Sequence, residues 1–254
     1  MAEPWITPED ARHALEAGDG KGVRIAILDS GIDLTHPGLA HADFDDDLAI
    51  LSEGGRVSLR ESGDGDVFGH GTAVAGIIHQ IAPAATLGSI RVLGHFKESR
   101  AAIIREGIRQ AAHRGYHIVQ CSFGAPARPQ DAAVYKSWID ALYLRGVHIV
   151  AAGSNTGFQT AEWPAHFPTV IGVGADPDGR PGLYRAGGGL IEFATRGEDD
   201  SALWPGGGTR KLVGSSFAAP RVAALLARIL TLHPGLHPLL AKAALRHTAE
   251  PPVA

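Results

Sequence analysis

VRIAILDSGIDLTHP, Val23 to Pro37, begins with five apolar residues in seven and then breaks at an acid, a glycine and a proline. A short Val- and Ile-rich run with no polar alternation is the pattern of a strand buried on both faces. Four more runs repeat it: TLGSIRVL (Thr86 to Leu93), HIVQCSF (His117 to Phe123), VHIVAAG (Val147 to Gly153) and TVIGVGA (Thr169 to Ala175). Helical patterns lie between them, near Thr72 to Gln80, Ser99 to Arg114 and Asp131 to Arg145. Apolar strands separated by helices predict an α/β fold with a parallel sheet covered on both faces. Two more helices, Phe217 to Leu232 and Pro238 to His247, are expected after the last strand.

Composition narrows the function. With 254 residues, 44% of them hydrophobic, the chain is long enough for one large domain with a substantial core. A formal charge of −4 favours neither nucleic acid nor anionic lipid as a partner. Cys121 is the single cysteine, which rules out an internal disulfide and fits a reducing compartment. The opening MAEPWITPEDARHALEAGDGKG (Met1 to Gly22) has no basic segment followed by an apolar one, so it is not a signal peptide. A cytoplasmic protein is expected, or a secreted one whose leader has been removed. No apolar run reaches the roughly 20 residues that cross a bilayer. HADFDDDLAILSEGG (His41 to Gly55) carries Asp43, Asp45, Asp46 and Asp47 without the spacing of a calcium loop. It reads as a solvated acidic loop, and no metal or cofactor is assigned.

Three short motifs carry chemistry. Asp29 ends the first strand, and in a parallel sheet the carboxyl ends of strands face the ligand crevice. An Asp before Ser30 and Gly31 is also an ordinary turn former. In FGHGTAVAGII (Phe68 to Ile78), His70 stands between Gly69 and Gly71 at a helix entrance, where small neighbours give access. In KLVGSSFAAPRVAALLARIL (Lys211 to Leu230), Ser216 follows Gly214 and Ser215 at the start of a long apolar helix. A serine there is either a cap or a nucleophile, since unpaired N–H groups serve both a hydroxyl and a developing oxyanion.

Asp29 in DSGID, His70 in GHGT and Ser216 in GSSFAAP together resemble the signatures of the subtilisin-like serine proteases, in that family's order Asp, His, Ser. The resemblance runs from about Gly20 to about Leu232. It implies a three-layer fold with a mainly parallel sheet, a peptidase domain at 20–254 after an N-terminal extension at 1–19, and a peptide or protein substrate. By the same resemblance, VAAGSNTG makes Asn155 the side-chain oxyanion donor. Ser122, Phe123 and Gly124 form one wall of the specificity pocket, Ala152 and Gly153 form the other, and Glu162, before WP, lies at its floor. Glu162 there would favour Lys or Arg before the scissile bond; the alternative is a loop glutamate facing water. Four positions depart from the family pattern: Ala73 for histidine, Ser154 for glycine, Ser215 for threonine and Phe217 for methionine.

The chemistry implied is acyl transfer, with Ser216 as nucleophile, His70 as its base and Asp29 fixing the imidazole tautomer. A dedicated processing endopeptidase is expected. A ligase or macrocyclase using the same acyl-enzyme, and a catalytically silent binding domain, are the alternatives. Cys121 lacks any nucleophile motif and reads as core. An α/β-hydrolase is excluded, because beyond Ser216 the only acid, Glu250, follows the last histidine, His247.

Overall fold

The computed structural model describes residues 6–187 and 189–252. In chain order the main elements are α1 (Pro8–Ala17), β1 (Arg24–Asp29), β2 (Asp43–Glu53), β3 (Arg56–Glu61), α2 (His70–Ile81), β4 (Thr86–Arg91), α3 (Ala101–His113) and β5 (Ile118–Cys121). There follow β6 (Ala125–Pro126), α4 (Ala132–Tyr143), β7 (His148–Ala152), β8 (Glu162–Trp163), β9 (Ile171–Ala175), β10 (Leu183–Arg185) and β11 (Phe193–Thr195). The chain ends with β12 (Glu198–Trp204), β13 (Gly208–Val213), α5 (Ser215–Leu232) and α6 (Pro238–Thr248).

Nine strands form the central sheet in the order β10-β11-β9-β7-β5-β1-β4-β2-β3. The seven strands from β11 to β2 are mutually parallel, and antiparallel β10 and β3 close the two edges. Side chains alternate across a strand, and β1 shows both faces in use. Ile25 and Ile27 pack with Val74 and Ile78 of α2 and Val222 and Leu226 of α5. Ala26 and Leu28 pack on the opposite face with Ile104 and Ile108 of α3 and Ile139 and Leu142 of α4. The result is three layers, helix, sheet and helix, as the run at Val23 to Asp29 implied.

Helix α1 joins the first of these cores through Ala11 and Ala14. The Arg228 guanidinium of α5 holds it there, donating to the carbonyls of Leu15 at 2.6 Å and Glu16 at 3.0 Å, and to that of Ile81 at the end of α2 at 2.9 Å.

The acidic stretch is not a loop. Asp43 to Glu53 is strand β2, paired with β4 and β3. Its carboxylates are committed: Asp45 pairs with Arg24 at 2.5 Å, and Asp46 pairs with Arg114 at 2.6 Å and accepts from the Tyr116 hydroxyl at 2.6 Å. Burial raises the Asp47 carboxyl above its ordinary range. Paired aspartates break the apolar pattern by which a strand is recognised, and the reading as a loop followed from that.

Candidate active site

Strand β1 sits where the strand order reverses, with β4 on one side and β5 on the other. Crevices form outside the carboxyl ends of strands at such a point, and β1 delivers Asp29 there. Its carboxylate is 1% exposed and receives His70 Nδ1 on both oxygens, at 2.8 and 2.9 Å. Oδ1 also accepts from the Ser30 N–H at 2.8 Å. His70 is the first residue of α2, and its entry depends on Gly69, whose φ of 111° suits glycine. Gly71 is required by contact: a Cβ there would stand 2.1 Å from the Gly31 carbonyl oxygen. The motif glycines therefore let the helix start press against the turn after β1.

Helix α5 brings the serines to the same edge. Ser215 is 2% exposed, and its hydroxyl donates to the Gly153 carbonyl at 2.6 Å and Asn155 Oδ1 at 3.0 Å. Ser216 is half-buried, and its hydroxyl donates to the Ser122 carbonyl at 3.1 Å. Among the described residues no hydrogen bond joins Ser216 to His70. The two are neighbours all the same, since the His70 ring lies 5.1 Å, centroid to centroid, from that of Phe217.

Asn155 is held by its oxygen, which accepts from the Ser215 N–H at 2.8 Å as well as from the Ser215 hydroxyl. That fixes the amide orientation and leaves its NH2 without a protein partner among the described residues. Ser154 helps to shape the turn: its hydroxyl accepts from the Thr156 N–H at 3.2 Å and bonds the Thr156 hydroxyl at 2.9 Å. Two of the departures fit together, because Ala73 and Phe217 share one buried cluster with Ile77 and Ala202. A small residue at 73 leaves room for a ring at 217.

Ser122 follows β5 and Gly153 follows β7, both at the carboxyl edge. Ser122 and Ser216 bond reciprocally, with Ser122 Oγ donating to the Ser216 carbonyl at 2.7 Å. The Ala152 side chain belongs to the core, so Ala152 offers only its backbone, and Phe123 packs partly against the α3–α4 core. The Glu162 carboxylate lies against Gly124, where a Cβ would come within 2.3 Å of Oε2. Pairing of β8 with β6 sets Glu162 opposite Pro126. Among the described residues no cation pairs with Glu162. Cys121 is buried next to Ser122, and burial, reinforced by the Asp29 charge, pushes its thiol far up, so it is no nucleophile.

Asp66 was not singled out by the sequence, because an acid in GDGDVFG reads as one more turn former. The structure sets it beneath the start of α2, where its carboxylate gathers donors from both sides of the Asp29–His70 contact.

Fold and site define a three-layer α/β protein with a buried acid–histidine pair at the switch point and a serine in the first turn of α5. The sequence matches the model described as the subtilase family over residues 20–253. M-protease of Shouchella clausii (strain KSM-K16) is 30% identical, the match covering 97% of this chain and 64% of that protein. Subtilisin BL of Lederbergia lenta is 30% identical over 97% of this chain and 91% of its own length. The solved structure of sphericase superposes with a TM-score of 0.74 at 25% identity, covering 92% of this chain and 87% of that one. The chain belongs to the subtilase family, the subtilisin-like serine proteases.

Proposed function

We propose that the chain is a serine endopeptidase working through Asp29, His70 and Ser216. The observation that carries this is the double contact of Asp29 with His70 Nδ1, at 2.8 and 2.9 Å, beside a half-buried serine at a helix start. With Nδ1–H held by the carboxylate, Nε2 is left as the basic nitrogen. In this reading the Ser216 hydroxyl leaves the Ser122 carbonyl and hydrogen-bonds to Nε2 before attack. The oxygen attacks the substrate carbonyl carbon while Nε2 takes the proton, giving a tetrahedral oxyanion and an imidazolium stabilised by Asp29. His70 then returns that proton to the leaving amine as the C–N bond breaks. Water, deprotonated by the same nitrogen, attacks the ester carbonyl, and Nε2 hands that proton to the Ser216 oxygen as the C–O bond breaks. The Asn155 NH2 and the Ser216 backbone N–H, at the positive end of α5, supply donors for the oxyanion.

Specificity follows from Glu162. An unpaired carboxylate against Gly124, on the wall running from Ser122, favours a Lys or Arg side chain before the scissile bond. Such selectivity suits a protease with a dedicated processing role.

The test is direct. A fluorophosphonate probe should label Ser216 in the wild type, and Ser216→Ala should abolish labelling and lower kcat by around 10⁶, with an unchanged circular dichroism spectrum. Mass spectrometry of products from a peptide library reads cleavage and ligation separately. A folded wild type that neither labels nor cleaves would be a silent binding domain, and turnover retained by Ser216→Ala would remove Ser216 from its role.

A further inference from the structure

Helix α2 begins at His70 with no side-chain cap from the residue before it, Gly69. The N–H groups at a helix start need outside acceptors, and one carboxylate serves two of them, those of Gly69 and Thr72. Asp66 Oδ1 accepts from the N–H of Phe68 at 3.0 Å, the N–H of Gly69 at 2.6 Å and the Ser30 hydroxyl at 2.7 Å. Oδ2 accepts from the Thr72 N–H at 2.8 Å and the Thr72 hydroxyl at 2.6 Å. The circuit then closes through its donors. The Ser30 hydroxyl accepts from the Gly71 N–H at 3.1 Å, and the Thr72 hydroxyl accepts from the Asp33 N–H at 2.9 Å.

Every donor to Asp66 comes from one of two places: the turn that follows Asp29, or the entry and first turn of the helix that carries His70. We infer that Asp66 is a positioning residue that fixes the His70 imidazole against Asp29 by tying these two segments to one carboxylate. The inference rests on the acyl-transfer reading of that pair. Asp66 makes no hydrogen bond to the imidazole, so it acts through the backbone. Only a side chain that accepts on two oxygens suits the place. The Asp66 carboxylate does so, whereas an asparagine would turn its NH2 onto either the two Thr72 donors or the Phe68, Gly69 and Ser30 donors. A negative charge beneath a helix start is favoured besides.

Asp66→Asn tests the idea. Misplacing a reacting group by about 1 Å costs roughly 10² in rate. Asp66→Asn is therefore expected to lower kcat by roughly that factor with KM changed less than about threefold. The low-field proton resonance of His70 Nδ1–H, bonded to Asp29, should broaden or shift upfield in the same variant. That signal reads the geometry without turnover. If the wild type fails to label with a fluorophosphonate, the acyl-transfer reading falls while the resonance still decides the role of Asp66. Ser30→Ala removes the Ser30 contacts to Asp66 and to the Gly71 N–H but leaves Asp66 bonded to Phe68, Gly69 and Thr72, so it serves where Asp66→Asn does not fold; about a tenfold loss of kcat is expected from the partial loosening. An unchanged kcat and an unchanged His70 resonance, in folded Asp66→Asn or, failing that, in Ser30→Ala, overturns the inference.

Discussion

Ser215 and Ser216 are chemically identical neighbours, and their surroundings give them different work. Ser215 is buried with its hydroxyl shared between Gly153 and Asn155, so it orients the amide and cannot reach substrate. Ser216 is half-buried with one exchangeable hydrogen bond, so its oxygen is free to turn. Glu162 is the other residue whose surroundings set its effect. Glu162→Gln keeps the size and removes the charge, so it isolates the electrostatic contribution to selectivity. We expect kcat/KM for an Arg peptide relative to a matched Leu peptide to fall by about tenfold, equivalent to roughly 1.4 kcal/mol at a partly screened site, and by less at higher salt. A ratio that does not move places the carboxylate in bulk water. The motifs around Asp29, His70, Ser216 and Asn155 stood out in the sequence because small residues flank them, and the roles proposed for these four follow from the family resemblance. Asp66 did not stand out, since its value lies in five hydrogen bonds that only the folded chain brings together.

At the scale of elements, Pro220 inside α5 has a use. A proline has no N–H, so the carbonyl four residues earlier, that of Ser216, loses its helical partner. The Ser122 hydroxyl takes the vacancy at 2.7 Å and ties the α5 start to the end of β5. Removing that donor should leave the carbonyl unsatisfied. We expect Ser122→Ala to cost about 1–3 kcal/mol of stability and to lower kcat. Pro220→Ala restores an N–H to the same carbonyl and should recover part of the stability in the Ser122→Ala background. A double-mutant cycle by urea unfolding measures this, and purely additive losses would refute the coupling. Element by element, the sequence reading located the five central strands and the helices from α2 onward, because the strands are continuous apolar runs and the helices carry regularly spaced apolar faces. It passed over α1, β2, β3 and the β12–β13 hairpin. Their residues are polar on an exposed side, or charged and paired as at Asp45 and Asp46, and periodicity does not detect salt bridges.

For the molecule as a whole, acid is the expected weakness. His148 begins β7 and is 3% exposed. Burial, and after it the charges of His117 and His237, push its pKa down from 6.5 to about 3. The unfolded chain therefore takes up a proton that the folded one refuses. Above pH 6.5 both states are neutral and nothing is lost. As pH falls from 6.5 towards 3, stability drops by about 1.4 kcal/mol per unit from this residue alone. His148→Gln removes the titration, so its urea midpoint should fall less steeply between pH 6.5 and 4.5 than that of the parent, both measured in a Ser216→Ala background to prevent self-digestion. Parallel curves would show that His148 is not responsible.

The place of α5 in the chain has a consequence for biosynthesis. This helix is threaded through the first core, pinned by Arg228 to both α1 and the end of α2, and it also carries Ser216. It is made late, after every strand of the sheet. A growing chain on the ribosome therefore has Asp29 and His70 long before it has the serine, and the segment that brings the serine also fills the first core, which α6 then completes. Under the proposed mechanism, a chain still short of α5 lacks both its nucleophile and a helix of the first core.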